Sequence, residues 1–153
     1  MSVAAPFAEY RFRVPEALID YNGHMNDAAY AQVLTDANEL FLEALGMSAS
    51  YRDATGCSLY TVEMNIRFRK EVSLDDELHA ETRLVSHDRK RVRLSTTVLD
   101  SGGDVVATGD SLYLHVDSVN GGVTEFPQDR AGLLLQTQLA HDALAERSSS
   151  ARS

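Results

Sequence analysis

The sequence predicts an α+β fold in which one long central helix is wrapped by a mainly antiparallel sheet of five to six strands, with a further helix at the C-terminus. Two patterns lead to this prediction. Apolar residues recur every three or four positions in one long early segment, and every second position in four later segments. A long sheet has one apolar face to cover, and a single helix lying along it supplies that cover.

The first predicted elements are a short strand and the long helix. Residues 9–14 alternate aromatic or aliphatic side chains with charged ones, which is typical of a half-buried strand, and Pro15 ends it. Asn26 is expected to cap the helix, Asp27 suits the positive end of its dipole, and Gly46 is a natural terminator. The buried stripe of this helix is expected to comprise Tyr30, Val33, Leu34, Ala37, Leu40, Phe41, Ala44 and Leu45.

The second half of the chain is expected to supply most of the sheet. Strands rich in β-branched and aromatic residues are predicted at 58–69, 77–86, 91–99 and 105–116. Turn sequences at 87–90 and 100–104 indicate hairpins, and a leucine-rich segment at 131–144 indicates the last helix. We expect residues 1–147 to form a single domain and the small, polar residues 148–153 to form a disordered tail.

Charge and composition exclude several classes of function. With 23 acidic and 14 basic residues the formal charge is −9, which argues against broad binding to nucleic acid or to anionic membranes. No apolar run approaches the roughly 20 residues that span a bilayer, and no signal peptide is evident, so we expect a cytoplasmic protein. A single cysteine, Cys57, and the absence of zinc-ligand spacing predict neither disulfide, metal nor cofactor.

The segment between the first strand and the helix carries the most informative motif. Residues 19–30 read IDYNGHMNDAAY, with an Asp, two residues, a Gly, a His and then a helix with an early Tyr. This pattern resembles the 4-hydroxybenzoyl-CoA thioesterase branch of the hotdog superfamily. The resemblance implies a hotdog fold and an enzyme that hydrolyses a small acyl-CoA thioester, with CoA as a portion of the substrate.

The resemblance assigns Asp20 as the catalytic carboxylate, acting as a nucleophile or as a general base. Independently, free backbone amides at a helix start, here those of Asp27 and Ala28, can stabilise the oxyanion that forms on a thioester carbonyl. His24 is expected to support the site, and Asn26 to cap the helix and to touch substrate. The alternative is that Asp20 and Asn26 serve as turn and cap residues alone.

A narrower resemblance suggests the acyl group. The strings YNGHMND at 21–27, YTVE at 60–63 and LHVD at 114–117 are similar to betainyl-CoA thioesterases of carnitine breakdown. Their cationic acyl group implies aromatic rings and a carboxylate, for which Tyr30, Tyr60 and Glu63 are the candidates. Ordinary packing explains the two tyrosines equally well, and Glu63 can simply face solvent. Departures from that pattern, such as Asn65, leave the acyl specificity open.

Four arginines are candidates for binding the CoA phosphates. Arg67 and Arg69 share one face of a predicted strand, and Arg91 and Arg93 share one face of another. A solvated sheet face that balances neighbouring acids is the ordinary explanation for such a pattern. In relatives with this architecture the long exposed sheet edge pairs across a dimer axis, so we expect a homodimer or a tetramer or hexamer built from dimers.

Two other functions fit portions of the same pattern. A hotdog enoyl-CoA hydratase or dehydratase also pairs an acid with a His near this helix, although the four-residue step from Asp20 to His24 differs from the spacing of five expected there. The second alternative is a module that binds acyl-CoA without catalysis. Substitution of Asp20 would then remove no hydrolysis.

Overall fold

The computed structural model describes residue 3 and residues 5–151, and the chain folds into five strands and three α-helices. A single 3-10 turn, Glu16–Leu18, follows the first strand. The elements in chain order are β1 (Phe7–Arg13), α1 (Asp27–Ala44), α2 (Ala49–Thr55), β2 (Cys57–Phe68), β3 (Glu77–His87), β4 (Arg91–Asp100), β5 (Val105–Asp117) and α3 (Gln128–Ala151). This confirms the predicted α+β class.

One antiparallel sheet has the strand order β1-β3-β4-β5-β2. The two hairpins β3–β4 and β4–β5 form its centre because short turns join antiparallel neighbours directly. β1 and β2 are the two edge strands. The edge strand β2 is paired along its whole length with β5, but its other side has no neighbour among the described strands.

Helix α1 covers one face of the sheet, and alternate residues of each central strand point towards it. In β4, for example, Val92, Leu94, Thr96 and Val98 are almost fully buried, whereas the residues between them are partly exposed. The seam between helix and sheet is tight at Gly109 of β5. A Cβ atom at this position would lie 2.6 Å from Leu34 Cδ1, so the missing side chain lets α1 approach the strand.

A buried polar network lies between the two apolar clusters of the core. Thr96 Oγ1 donates to Asn38 Oδ1 at 2.6 Å, and Asn38 Nδ2 donates to Ser111 Oγ at 3.2 Å. Thr82 Oγ1 lies 3.2 Å from Thr96 Oγ1. All four side chains are at most 2% exposed, so the network ties the middle of α1 to three strands inside the core.

The structure differs from the predicted elements mainly in the helices, while the strand ends shift by one or two residues. α2 was not predicted, because Tyr51 is its only buried residue and gives no periodic signal. α3 starts at Gln128 rather than 131 and continues to Ala151, so residues 148–151 of the predicted tail are helical, while 152 and 153 lie outside the described residues. No helix in residues 3 and 5–151 combines the length and hydrophobicity needed to cross a membrane.

Candidate active site

The loop that leads from β1 into α1 is folded back on itself as a small antiparallel ladder. The Asn26 N–H and Asn26 Nδ2 both donate to the Leu18 carbonyl at 2.9 Å. Ile19 pairs with Met25 as an isolated bridge, and the Met25 N–H donates to the Val72 carbonyl at 2.7 Å. The loop is therefore fastened both to itself and to the segment after β2.

Asp20 occupies the next rung of this ladder, opposite His24. The Asp20 N–H donates to the His24 carbonyl at 2.9 Å, and the Gly23 N–H donates back to the Asp20 carbonyl at 3.0 Å. Gly23 has φ +82°, and no atom lies within 4 Å of where its Cβ would be. A glycine is thus required by the backbone conformation of the turn rather than by lack of space.

The two carboxylate oxygens of Asp20 have different surroundings. Oδ1 accepts a hydrogen bond from the Asn22 N–H at 2.8 Å and a longer contact from the His24 N–H at 3.5 Å. Oδ2 accepts none from any residue that the structure describes. One oxygen therefore fixes the side chain, and the other is available for chemistry.

The start of α1 lies two rungs along from Asp20. Asn26 Oδ1 accepts the Ala29 N–H at 3.0 Å, which makes Asn26 the predicted N-cap. Both polar ends of its side chain are engaged, with Leu18 and with Ala29, so its role in the structure is to cap. The N–H groups of Asp27 and Ala28 have no acceptor within the described chain. Leu18, which pairs with Asn26, is two residues before Asp20, and two extended residues span roughly 7 Å.

His24 is paired with a residue that the sequence did not identify. Its Nε2 lies 3.3 Å from Glu71 Oε2, where His24 is 36% and Glu71 77% exposed. Glu71 lies in the segment between β2 and β3, 47 residues from His24 in sequence, and no local pattern links the two. A proton on Nε2 would complete this hydrogen bond and leave Nδ1 as the acceptor of the ring.

Tyr30 is packed rather than open to substrate. It is 6% exposed, and its hydroxyl donates to the Lys70 carbonyl at 3.2 Å. Burial raises the pKa of Tyr30, and the Asp27 and Glu71 carboxylates raise it further. Its ring meets that of Phe68 at a centroid distance of 5.1 Å and an angle of 84°, and Phe68 is 53% exposed.

Tyr60 and Glu63 lie together, but on the face of the sheet away from α1. Ile66 and Phe68 of β2 point towards the helix, because Ile66 packs in the core cluster of α1 and Phe68 contacts Tyr30. Glu63 has the opposite parity, and the irregularity between Thr61 and Glu63 places Tyr60 on the same outer face. Within one chain, the structure does not bring this pair to Tyr30. The Tyr60 hydroxyl is instead 3.1 Å from Ser118 Oγ.

The four candidate arginines divide into two groups. Arg67 and Arg69 lie near the end of β2, close in sequence to Glu71 and the ladder contact at Val72, and make no ion pair with the described residues of the chain. Arg93 aligns through Leu112 with Glu63, four strand positions from Arg67, which is roughly 13 Å. Arg67 and Arg69 therefore lie at the end of β2 that leads to Glu71, and Arg91 and Arg93 lie farther back along the sheet.

The remaining arginine of the farther group is committed to its own hairpin. Arg91 Nε donates to Asp88 Oδ2 at 2.7 Å. Hydrogen bonds from the Lys90 N–H first, and then from Arg91, lower the pKa of Asp88. Arg91 therefore holds the turn between β3 and β4.

Lys70 is next to Glu71 in sequence, but its ammonium group is paired with two carboxylates of another turn. Its ammonium group lies 2.7 Å from Asp100 Oδ2 and 2.8 Å from Asp104 Oδ2, across the β4–β5 turn. These hydrogen bonds raise the pKa of Lys70 and lower that of Asp100. In the described chain, no three His, Cys, Asp or Glu side chains form a group that could hold a metal ion.

Curated proteins with similar sequences are thioesterases or contain one. The chain is 46% identical over 116 residues to L-carnitine dehydrogenase/betainyl-CoA thioesterase of Agrobacterium fabrum, a match that covers 72% of this chain and 24% of that protein. It is 35% identical over 99 residues to betainyl-CoA thioesterase of Pseudomonas aeruginosa, covering 64% and 62%. The chain thus spans less than two thirds of both relatives, and about a quarter of the Agrobacterium protein.

Solved structures show the same architecture. A hypothetical protein from Staphylococcus aureus in complex with CoA superposes with a TM-score of 0.83 at 22% identity, covering 90% of this chain and 88% of the other. A putative thioesterase from Pseudomonas putida gives 0.75 at 27% identity, covering 88% and 86%. The Thioesterase-like superfamily matches residues 14–139. The chain therefore belongs to the thioesterase-like superfamily and has the hotdog fold.

Proposed function

We propose that this protein hydrolyses acyl-CoA thioesters, with Asp20 as the catalytic carboxylate. The observation that carries the proposal is the asymmetry of that carboxylate, whose Oδ1 is anchored and whose Oδ2 has no partner in the described chain. The unpaired N–H groups of Asp27 and Ala28 directly follow Asn26, whose ladder partner Leu18 lies two residues before Asp20. Membership of the thioesterase-like superfamily supports the same reaction.

The geometry fits two routes to hydrolysis. In the first, Asp20 Oδ2 attacks the thioester carbon, CoA leaves as the thiolate, and water hydrolyses the resulting anhydride. In the second, Asp20 takes a proton from a water molecule that attacks the same carbon. In both, the amides of Asp27 and Ala28 donate to the carbonyl oxygen as it becomes negative, and the products are a carboxylic acid and CoA.

His24 has a supporting role in this proposal. Its backbone fixes Asp20 from both sides, through its carbonyl and its N–H. Its side chain is held by Glu71 through Nε2. This leaves Nδ1 as the ring acceptor, which we propose orders water or takes part in proton transfer.

The acyl group of the substrate is proposed to be small, with betainyl the first candidate. The support is the identity to proteins named betainyl-CoA thioesterase, at 46% and 35%. A long chain running beneath α1 at Gly109 would also have to part the close contact between this glycine and Leu34. A small neutral acyl group would also fit the close packing of Leu34 and Gly109, but it has no support from the names of the relatives.

A panel of esters tests the proposal on the whole chain. Betainyl-, acetyl-, butyryl- and benzoyl-CoA are compared by release of CoA thiol, and we expect the highest kcat/KM with betainyl-CoA. Absence of thiol release from every ester would reject hydrolysis. Crotonyl-CoA, followed by loss of its conjugated absorbance, detects the hydratase alternative, and binding of CoA esters without turnover detects the non-catalytic one.

For the CoA phosphates we propose Arg67 and Arg69 ahead of Arg91 and Arg93. The first pair is unpaired and lies near the end of β2 that leads to the site, whereas Arg91 is bonded to Asp88. Arg67→Ala and Arg69→Ala should raise KM for a CoA ester but not for the matching N-acetylcysteamine thioester, which has no phosphate. Arg91→Ala is the matched control. Equal effects on both substrates would contradict the assignment.

We further propose a dimer formed through the free edge of β2. This edge strand has unpaired backbone groups on one side and exposes Tyr60 and Val62. Light scattering after gel filtration should give twice the chain mass, and Val62→Lys should shift the protein towards monomer. A monomeric wild type would overturn this proposal and leave the hydrolytic one standing.

A further inference from the structure

An exposed aromatic ring lies beside the first turn of α1, where the sequence had not indicated one. Phe68 is 53% exposed although it is on the sheet face that carries the core. It meets the buried ring of Tyr30 at right angles, 5.1 Å between centroids. Tyr30 is itself one helical turn from Asp27. About half of the Phe68 surface is thus open to a ligand near the helix mouth.

Two acidic residues, Asp27 and Glu71, lie near this ring, whereas Arg67 and Arg69, on either side of Phe68, share the strand parity of Glu63 and point to the outer face of the sheet. Asp27 and Glu71 both act on Tyr30, as the rise in its pKa reflects, and Asp20 belongs to the same loop system through His24. The nearest lysine, Lys70, directs its ammonium group to Asp100 and Asp104 instead. Positive charge on an acyl group would therefore meet opposite charges and no competing ammonium from this lysine.

The residues behind this ring are fixed or closely packed. Tyr30 is 6% exposed and is fixed by its hydrogen bond to the Lys70 carbonyl, so it cannot swing aside without losing that bond. Deeper along the helix, Leu34 fills the gap above Gly109. Neither Tyr30 nor Leu34 offers space behind Phe68, which favours a compact group there.

We infer that Phe68 and Glu71 form the acyl subsite and select a compact quaternary ammonium group. This inference rests on the proposed thioesterase function and replaces Tyr60 and Glu63, which lie on the outer sheet face. Phe68 supplies the aromatic surface, and Glu71 supplies the carboxylate while it also holds His24. A trimethylammonium group cannot donate hydrogen bonds, so ring faces and carboxylates are the partners it can use.

A charge-neutral copy of the substrate isolates this effect once each kcat/KM is divided by the rate of uncatalysed hydrolysis of the same ester, because the ammonium group also activates its own carbonyl. Betainyl-CoA carries a trimethylammonium group, and tert-butylacetyl-CoA has the same shape with carbon in place of nitrogen. The wild-type protein should prefer the cationic ester in kcat/KM by about 3- to 30-fold, the range expected for a cation on an aromatic ring. A ratio near one would overturn the subsite while hydrolysis of both esters kept the proposed function intact.

Substitutions then locate the preference. Phe68→Leu and Glu71→Gln should each move the ratio of the two kcat/KM values towards one, mainly by lowering kcat/KM for betainyl-CoA. Phe68→Trp keeps an aromatic face and should retain or increase the ratio, which guards against a Phe68→Leu protein that fails to fold. Leu139→Ala, an exposed apolar change in α3, is the matched control for the ratio.

The outcomes separate this inference from its foundations. If Phe68→Leu lowers kcat/KM equally for both esters, or changes the oligomer mass in solution without changing the ratio, Phe68 is a packing or subunit contact. The inference is then wrong. If Tyr60→Phe or Glu63→Gln instead abolishes the preference, the subsite lies on the outer face. If the wild type releases thiol from neither ester nor from the wider panel, it is the thioesterase function that fails.

Discussion

Asp20 Oδ1 accepts the N–H of Asn22 at 2.8 Å, so the carboxylate is held by the turn that it begins. An amide at position 20 keeps an oxygen for this contact but supplies neither a nucleophile nor a base. We therefore expect Asp20→Asn to lower kcat by roughly 10²- to 10⁴-fold, with an unchanged circular dichroism spectrum and CoA affinity. Asp53→Asn, an exposed change in α2, is the matched control, and comparable activity of the two variants would reject the assignment of Asp20.

The cap of α1 should contribute to stability as well as to the site. Asn26 satisfies the Ala29 N–H and binds the Leu18 carbonyl, and Asn26→Ala removes both contacts. We expect a loss of about 1–2 kcal/mol in the free energy of unfolding, measured with urea. Ser48→Ala is the control, because Ser48 precedes α2 but its side chain makes no capping hydrogen bond. Equal losses would show that the Asn26 contacts add nothing.

Alanine substitutions at two glycines distinguish a steric clash in the core from the effect of helix propensity. Gly109→Ala places a Cβ 2.6 Å from Leu34 Cδ1 in the core, and we expect a loss of about 1–3 kcal/mol in unfolding free energy. Gly132→Ala, in α3 with no atom within 4 Å, should instead gain roughly 0.5–1 kcal/mol. Urea unfolding of both variants measures the difference, and a neutral Gly109→Ala would mean that the seam can widen.

Alkaline pH should weaken the fold through Tyr10. Burial, followed by the nearby Asp36 carboxylate, raises the pKa of Tyr10 from 10.0 to about 12. Because the folded state holds the phenol proton more tightly, this contribution is complete below pH 10 and is lost as the pH rises towards 12. Tyr10→Phe should decline less in unfolding free energy over that window than the wild type. Parallel curves would contradict the shift.

The fold was largely predictable because its signals are local. The two-residue period of β2 to β5 and the helical period of α1 are visible within single segments, and the cap at Asn26 follows from its neighbours. α2 escaped prediction because it buries one residue, Tyr51. The prediction of strand faces depended on a regular β2, and the irregularity before Glu63 changes which side chains share a face.

The candidate site was only partly predictable. Asp20, Asn26 and the helix amides come from one continuous segment, so a motif can identify them together. Glu71 and Phe68 reach the site from the end of β2 and the turn beyond it, through tertiary contacts with His24 and Tyr30. Nothing in the residues next to them signals those contacts, and the predicted grouping of Tyr30 with Tyr60 and Glu63 does not occur within one chain.

The buried hydrogen bonds of Asn38 set how far α1 is translated along the sheet. Asn38 is 11 residues beyond Asp27, roughly 16 Å along the helix axis, and it bonds Thr96 and Ser111 on two different strands. If α1 moved along the sheet, these polar groups would lose their hydrogen-bond partners inside the core, at a cost of about 1–3 kcal/mol for each. The position along the sheet of the Asp27 and Ala28 amides is thus determined at the middle of the helix, roughly three turns from its start.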